Sequence, residues 1–353
     1  MRSPAEDATA GRAGVAGTVR LPMGGVMDDR TPMLFSPETS GTFAVDVAGA
    51  LRLDLAPLEA RVFEDGEHKT RPLASVRGRD VYVLQSLFSD VAQSVNDRLV
   101  RLLFFVGAVR DAGAARVTAV IPYMGYARKD RRTKPRDPVT TRYAAQLFEA
   151  VGTDCVVTMD VHNRAAFENA FRCRTEHLEA APRFVAELLP GLADLPATVV
   201  SPDAGGIKRA EAFRQRLETA LGRPVGSAFA EKHRSSGVVS GEGFVGPVDG
   251  RVAVIVDDLI AGGTTVARAA RACRERGAQR VVAVASHGVF ASTAPDMLGG
   301  PDVDQVVVTD SIPERPLPEG PLAGKLVRLS VAPLVAEAIR RLHADLPLSD
   351  LSA

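Results

Sequence analysis

Two adjacent carboxylates, Asp257 and Asp258, follow an apolar run from Val252 to Val256 and precede Gly262, Gly263, Thr264 and Thr265. Such an uninterrupted run fits a strand buried on both faces, whereas a carboxylate at its end is costly to bury without a partner. Ligands of open α/β sheets bind at that carboxyl end. The small residues after the acids offer backbone N–H groups and hydroxyls, and Val266 to Arg276 reads as a helix whose positive end faces the turn. A phosphate fits there, with the acids beside it to hold sugar hydroxyls or a metal. The same pattern also serves plain architecture, the acids capping a helix and the glycines turning the chain.

Other apolar runs end in chemically loaded residues: Asp160 and His162 after Cys155 to Met159, Asp203 after Thr198 to Ser201, His287 after Val281 to Ser286, and Asp310 after Gln305 to Thr309. A single Asp after a strand is commonly a turn former or helix cap, but five such clusters argue against coincidence. Asp160, two residues before His162, would share its side of a strand and orient the imidazole. Two basic segments join them: Arg128 to Arg136, which reads alone as a solvated loop, and Lys232 with Arg234, close to the glycines at 237, 241 and 243.

The elements that must position these groups alternate. Further short apolar runs at Leu34 to Ser36, Val81 to Ser86 and Val117 to Tyr123 are separated by helical patterns at Asn96 to Ala112, Thr141 to Ala150 and Lys208 to Leu221. Strands alternating with helices predict parallel sheets covered on both faces, an α/β fold. The 353 residues suffice for two such units, with a boundary between Phe171 and Pro182, and Met1 to about Pro32 lacks any sustained period and is expected to be a disordered leader.

Composition narrows the partners. Lys plus Arg balances Asp plus Glu at 43 each, so no global field recruits nucleic acid or an anionic membrane. Three widely spaced cysteines, Cys155, Cys173 and Cys273, fit neither a disulfide framework nor a zinc cluster and point to a reducing, cytoplasmic setting. No apolar stretch reaches the roughly eighteen residues a membrane span needs.

IPYMGYARKDRRTKPRDPVTT (Ile121 to Thr141), MDVH (Met159 to His162), SPDAGGIKRA (Ser201 to Ala210) and the acidic segment resemble, in this order, the ribose-phosphate pyrophosphokinase (PRPP synthetase) family. FEDGE at Phe63 to Glu67, SVRGRDVYVLQS at Ser75 to Ser86, VTDSIP at Val308 to Pro313 and LSVAPLVAEAIRRLH at Leu329 to His343 extend the resemblance over Met33 to Leu351. It implies two tandem phosphoribosyltransferase-like domains, each a mostly parallel sheet flanked by helices. Residues 33–175 would carry the ATP side and oligomer contacts. Residues 176–346 would carry the ribose 5-phosphate loop and the catalytic loop, the C-terminal segment packing back on the first domain.

The implied reaction passes the pyrophosphoryl group of Mg-ATP to ribose 5-phosphate. By resemblance Lys232 and Arg234 are the catalytic pair on a mobile loop. Phe63, Asp65, Glu67, Arg128, Lys129 and His162 meet ATP, the first three from a neighbouring subunit. Asp257, Asp258, Ala261, Gly262, Gly263, Thr264 and Thr265 bind ribose 5-phosphate, and His162 and Asp203 are linked to Mg2+. Lys129 stands where the family usually has Gln, and AGGTT replaces its commonest loop, DTAGT. The expected partners are ATP, ribose 5-phosphate and further copies of the chain in a dimer-based homo-oligomer, up to a hexamer, with no nucleic acid and no membrane. A catalytically weak regulatory relative and a phosphoribosyltransferase are the alternatives; the latter has no use for the nucleotide segments.

Overall fold

Apolar strands bounded by polar ends dictate the layering. The computed structural model describes residues 31–37, 42–235, 238–314 and 320–352, with the backbone alone for those of residues 231–242 it includes and for residue 352. The leader expectation falls on residues outside these, apart from Thr31 and Pro32. The first sheet holds β1 (Met33–Phe35), β4 (Asp80–Leu84), β5 (Arg116–Ile121), β6 (Cys155–Met159) and β7 (Arg174–Leu178), in that order and all parallel. Between β1 and β4 come α1 (Phe43–Leu51) and an antiparallel hairpin, β2 (Leu58–Val62) with β3 (His68–Pro72). Crossover helices α2 (Val95–Asp111), α3 (Thr140–Ala150) and α4 (Arg164–Ala170) join the parallel strands.

The second sheet has the order β10-β9-β8-β11-β12-β13-β14. Its strands are β8 (Ala197–Ser201), β9 (Gly226–Ser235), β10 (Val238–Val245), β11 (Val252–Ile260), β12 (Arg280–Gly288), β13 (Gln305–Thr309) and β14 (Leu326–Leu329). All neighbours are parallel except β9 and β10. Helices α5 (Ala181–Leu192), α6 (Ile207–Leu221), α7 (Thr264–Glu275), α8 (Ala294–Gly299) and α9 (Ala332–His343) complete the chain.

Alternation along each strand explains the core. In β11, Val252, Val254 and Val256 face a core shared by both sheets, while Ala253 and Ile255 face a separate outer core under α7. In β6, Cys155, Val157 and Met159 enter the same shared core and Val156 the first sheet's outer core. Each fully buried aliphatic side chain stabilises the fold by about 1.5–3 kcal/mol, so strands buried on both faces hold their polar ends rigidly in place.

The structure adds local detail to the sequence reading. The change of sheet follows Leu178, because β7 pairs with β6 from Cys155↔Arg174 to Met159↔Leu178. Residues 226–235, which include part of the segment Ala230 to Gly237 expected to carry the catalytic pair, form a strand paired with β10. Helix α7 begins at Thr264, two residues early, because Gly263 makes the whole turn in the left-handed region at φ 79.

The C-terminal helix α9 lies against elements of the first sheet. It packs on α1, the Asp80 carboxylate accepts from His343 Nδ1 at 2.7 Å, and Arg116 donates to Leu342 O at 2.9 Å.

Candidate active site

The carboxyl ends of β6, β8 and β11 open into one cleft of about 1430 Å³. Its wall contains Arg128, His162, Asp203, Asp257, Asp258 and the turn from Ala261 to Thr265. Residues from both sheets thus converge, as the shared core requires.

The turn after β11 is shaped from behind. Ala291 N–H donates to Ala261 O at 3.0 Å and Thr293 Oγ1 to Gly262 O at 3.1 Å, which holds these carbonyls toward the 291–293 segment. A Cβ on Gly262 would sit 2.9 Å from Thr293 Oγ1, and one on Gly263 3.1 Å from Leu298 and Met297. A side chain at Gly262 would have to displace the Thr293 hydroxyl, and one at Gly263 would be strained by its φ of 79 and crowd α8. No side chain caps α7 and its first turn carries no acid, so its leading N–H groups are available to an anion.

The acids behave differently from one another. Asp258 is 2% exposed and its Oδ2 accepts from His162 Nδ1 at 2.8 Å. Arg209 of α6 places Nη1 3.0 Å from Asp257 Oδ1 and 3.1 Å from Asp258 Oδ1. Burial works to raise the Asp258 carboxyl, but the His162 hydrogen bond and the Arg209 charge prevail and hold it below the usual range. Burial and the neighbouring Asp258 instead push Asp257 up to about 8. The bond to Asp258 raises His162 above its ordinary value, against partial burial.

Asp160 does not orient His162. The backbone leaves the strand at Asp160, φ 39, so residues 160 and 162 no longer share a strand face. Its Oδ2 accepts from Ala180 N–H at 2.9 Å and from Ser286 Oγ, tying the end of β6 to the start of α5 and to β12. Asp258, 96 residues further on, is the partner the imidazole finds.

Asp203 lines the cleft with Oδ1 accepting from Gly205 and Gly206 N–H at 2.9 and 3.1 Å. Arg128 is exposed there. Lys129 turns aside to Asp137, Nζ to Oδ2 2.5 Å. Phe63, Asp65 and Glu67 stand at the tip of the β2–β3 hairpin, closed by Phe63 N–H to Glu67 O at 2.7 Å, and are not among the residues of the cleft wall. Lys232 and Arg234 lie on β9, opposite Glu242 and Val239 of β10; their side chains are outside the described residues. Among the described residues no group of three or more His, Cys, Asp or Glu side chains forms a metal cage, and no helix is long and apolar enough to cross a membrane. Sequence reading missed Arg209, although a cation in the first turn of a helix opposes the helix dipole and marks the position.

Residues 32–152 match the family described as the N-terminal domain of ribose phosphate pyrophosphokinase, and residues 241–352 the phosphoribosyl synthetase-associated domain. A ribose-phosphate pyrophosphokinase of Nostoc sp. is 38% identical over 329 residues, 93% of this chain and 95% of that protein. One from Clostridium perfringens is 36% identical over 90% of this chain and 96% of its own length. The crystal structure of phosphoribosylpyrophosphate synthetase from Mycobacterium smegmatis superposes with a TM-score of 0.79 at 32% identity, covering 89% of this chain and 99% of that one. With both family regions matched in order, and the paired sheets and cleft in place between them, the chain belongs to the ribose-phosphate pyrophosphokinase family.

Proposed function

We propose that this chain transfers the pyrophosphoryl group of magnesium-bound ATP to the anomeric hydroxyl of ribose 5-phosphate, giving AMP and 5-phosphoribosyl 1-diphosphate. The observation that carries the reading is the convergence of Arg128, His162 and Asp203 with the Asp257–Thr265 segment in one cleft. A transferase acting on the product alone would need only the latter. The names of the similar proteins point the same way.

In this reading the 5-phosphate sits on the turn from Ala261 to Thr265, held by backbone N–H groups and the first turn of α7. The acidic pair takes the ribose hydroxyls and aims the anomeric oxygen at the β-phosphorus, with AMP leaving in line. Arg128 meets the triphosphate. Lys129 joins it only when its pair with Asp137 opens. Lys232 and Arg234 stabilise charge on the transferring phosphoryl oxygens. The hairpin tip with Phe63, Asp65 and Glu67 frames adenine for a second copy of the chain, which makes the active unit a homo-oligomer.

The donor set suits a magnesium ion that arrives with the nucleotide rather than one in a preformed cage. Asp203 offers a hard carboxylate, and His162, its Nδ1–H committed to Asp258, presents Nε2 to phosphate oxygens or to metal-bound water. Such an ion, when bound, neutralises phosphate charge. Incubation of the purified chain with magnesium, ATP and ribose 5-phosphate tests the reading. AMP and the diphosphate should appear in equal amounts by mass spectrometry; ADP with ribose 1,5-bisphosphate would refute it.

A further inference from the structure

We propose that Arg209 is a positioning residue for the ribose subsite, and that it divides the labour of the acidic pair: Asp257 meets the sugar while Asp258 anchors the cluster. The inference rests on the pyrophosphoryl-transfer reading and names what prepares its sugar site.

One guanidinium gathers three residues. Arg209 Nη1 reaches Asp257 Oδ1 at 3.0 Å and Asp258 Oδ1 at 3.1 Å, and Nη2 lies 3.4 Å from His162 O. These partners come from the ends of β11 and β6, so the contact spans both sheets. Local preference does not explain the residue. Arg209 is in the first turn of α6, which carries no acid of its own, and a cation is disfavoured there by the helix dipole. A position that breaks a local rule calls for a compensating role, and the two carboxylates supply it.

The two acids are unequal in access. The Asp258 side chain is 3% exposed and is shared between His162 and Arg209, whereas that of Asp257 is 19% exposed in the cleft wall. Asp257 Oδ1 accepts from Arg209 Nη1 at 3.0 Å and from Asp258 N–H at 2.9 Å, and the two carboxyls also share a side-chain hydrogen bond. Asp257, the more accessible of the two, is the residue that meets a sugar hydroxyl. The planar guanidinium can touch both carboxylates and the carbonyl at once; an ammonium is a point charge on a flexible stem and cannot reproduce that fork.

Arg209→Lys and Arg209→Gln test this, with calorimetric binding of ribose 5-phosphate beside steady-state kinetics and a thermal melt. Both variants should melt near the wild-type temperature, bind ribose 5-phosphate about tenfold more weakly or worse, and keep the KM for ATP within about twofold. Guanidinium ion should restore part of the sugar affinity to Arg209→Ala. Unchanged sugar binding in Arg209→Lys, or a loss confined to ATP, would overturn the inference. The binding assay does not depend on turnover. If the wild type bound the sugar and the variants did not, yet no AMP formed, the inference would stand and the proposed reaction would fall; a wild type that bound no ribose 5-phosphate would overturn both.

Discussion

His162 Nδ1 lies 2.8 Å from Oδ2 of Asp258, joining the carboxyl end of a first-sheet strand to that of a second-sheet strand. A carboxylate only accepts, so the imidazole donates through Nδ1 and turns Nε2 to other partners. The two halves of the cleft are thus linked through a histidine tautomer. In the proposed reading, a change at the acidic pair would reach the nucleotide side through this imidazole.

Asp258→Asn should therefore damage more than sugar binding. An amide does not hold the tautomer as a carboxylate does, and loss of such an orienting partner typically costs about 10- to 100-fold in metal affinity or activity. The expected result is a fall in kcat of that order with a raised magnesium requirement, measured by titrating the metal at saturating ATP. Wild-type magnesium dependence would separate His162 from the nucleotide side.

Lys232→Ala should lower kcat about a hundred- to a thousandfold with little change in thermal stability, if its charge acts on the transferring phosphoryl group. Its position on the β9–β10 ribbon, away from the buried strands of the shared core, makes a folding defect an unsuitable explanation for such a loss. Near-normal turnover would remove it from the chemistry.

Gly263→Ala should impair ribose 5-phosphate use. The residue is at φ 79, where a Cβ costs about 1–2 kcal/mol, and that Cβ would sit 3.1 Å from Leu298 and Met297. Relief requires the turn to shift, which would displace the N–H groups that hold the phosphate in the proposed reading. The KM for the sugar phosphate should rise more than that for ATP; unchanged values would mean the turn is not the phosphate site.

The seam between the C-terminal helix and the first sheet should weaken in acid. Burial works to raise Asp80, but hydrogen bonds from Arg116 and His343 outweigh it and hold the carboxyl below its ordinary value. The folded chain then takes up this proton less readily than the unfolded one. The stabilisation is complete above the unfolded value of about 4 and is lost as pH falls through the lower folded value. Asp80→Asn should destabilise the protein by about 2 kcal/mol at neutral pH and flatten the acid limb of a melting-temperature profile. An unaltered acid limb would assign that loss to other groups.

Much of this was legible in the chain. The strands β4, β5, β6, β8, β11, β12 and β13 are apolar runs because both faces are buried, and they appear where those runs lie. The edge strand β1 was readable as the apolar run from Leu34, but the polar edge strand β7 and the hairpin strand β2 were not. RTEHL of β7 and LEARV of β2 carry charge on exposed positions and resemble loops or helix turns until a neighbour pairs with them. The motif residues of the site were visible as strand ends, but their partners were not: His162 and Asp258 are 96 residues apart, and only the juxtaposition of two sheets brings them together. The expected Asp160–His162 pairing failed for a local reason, the left-handed residue at Asp160.

The most direct test of the account follows the β-phosphorus. ATP radiolabelled at that position should pass its label wholly into 5-phosphoribosyl 1-diphosphate and leave AMP unlabelled. Label retained in ADP, with the sugar gaining only the γ-phosphate, would contradict it.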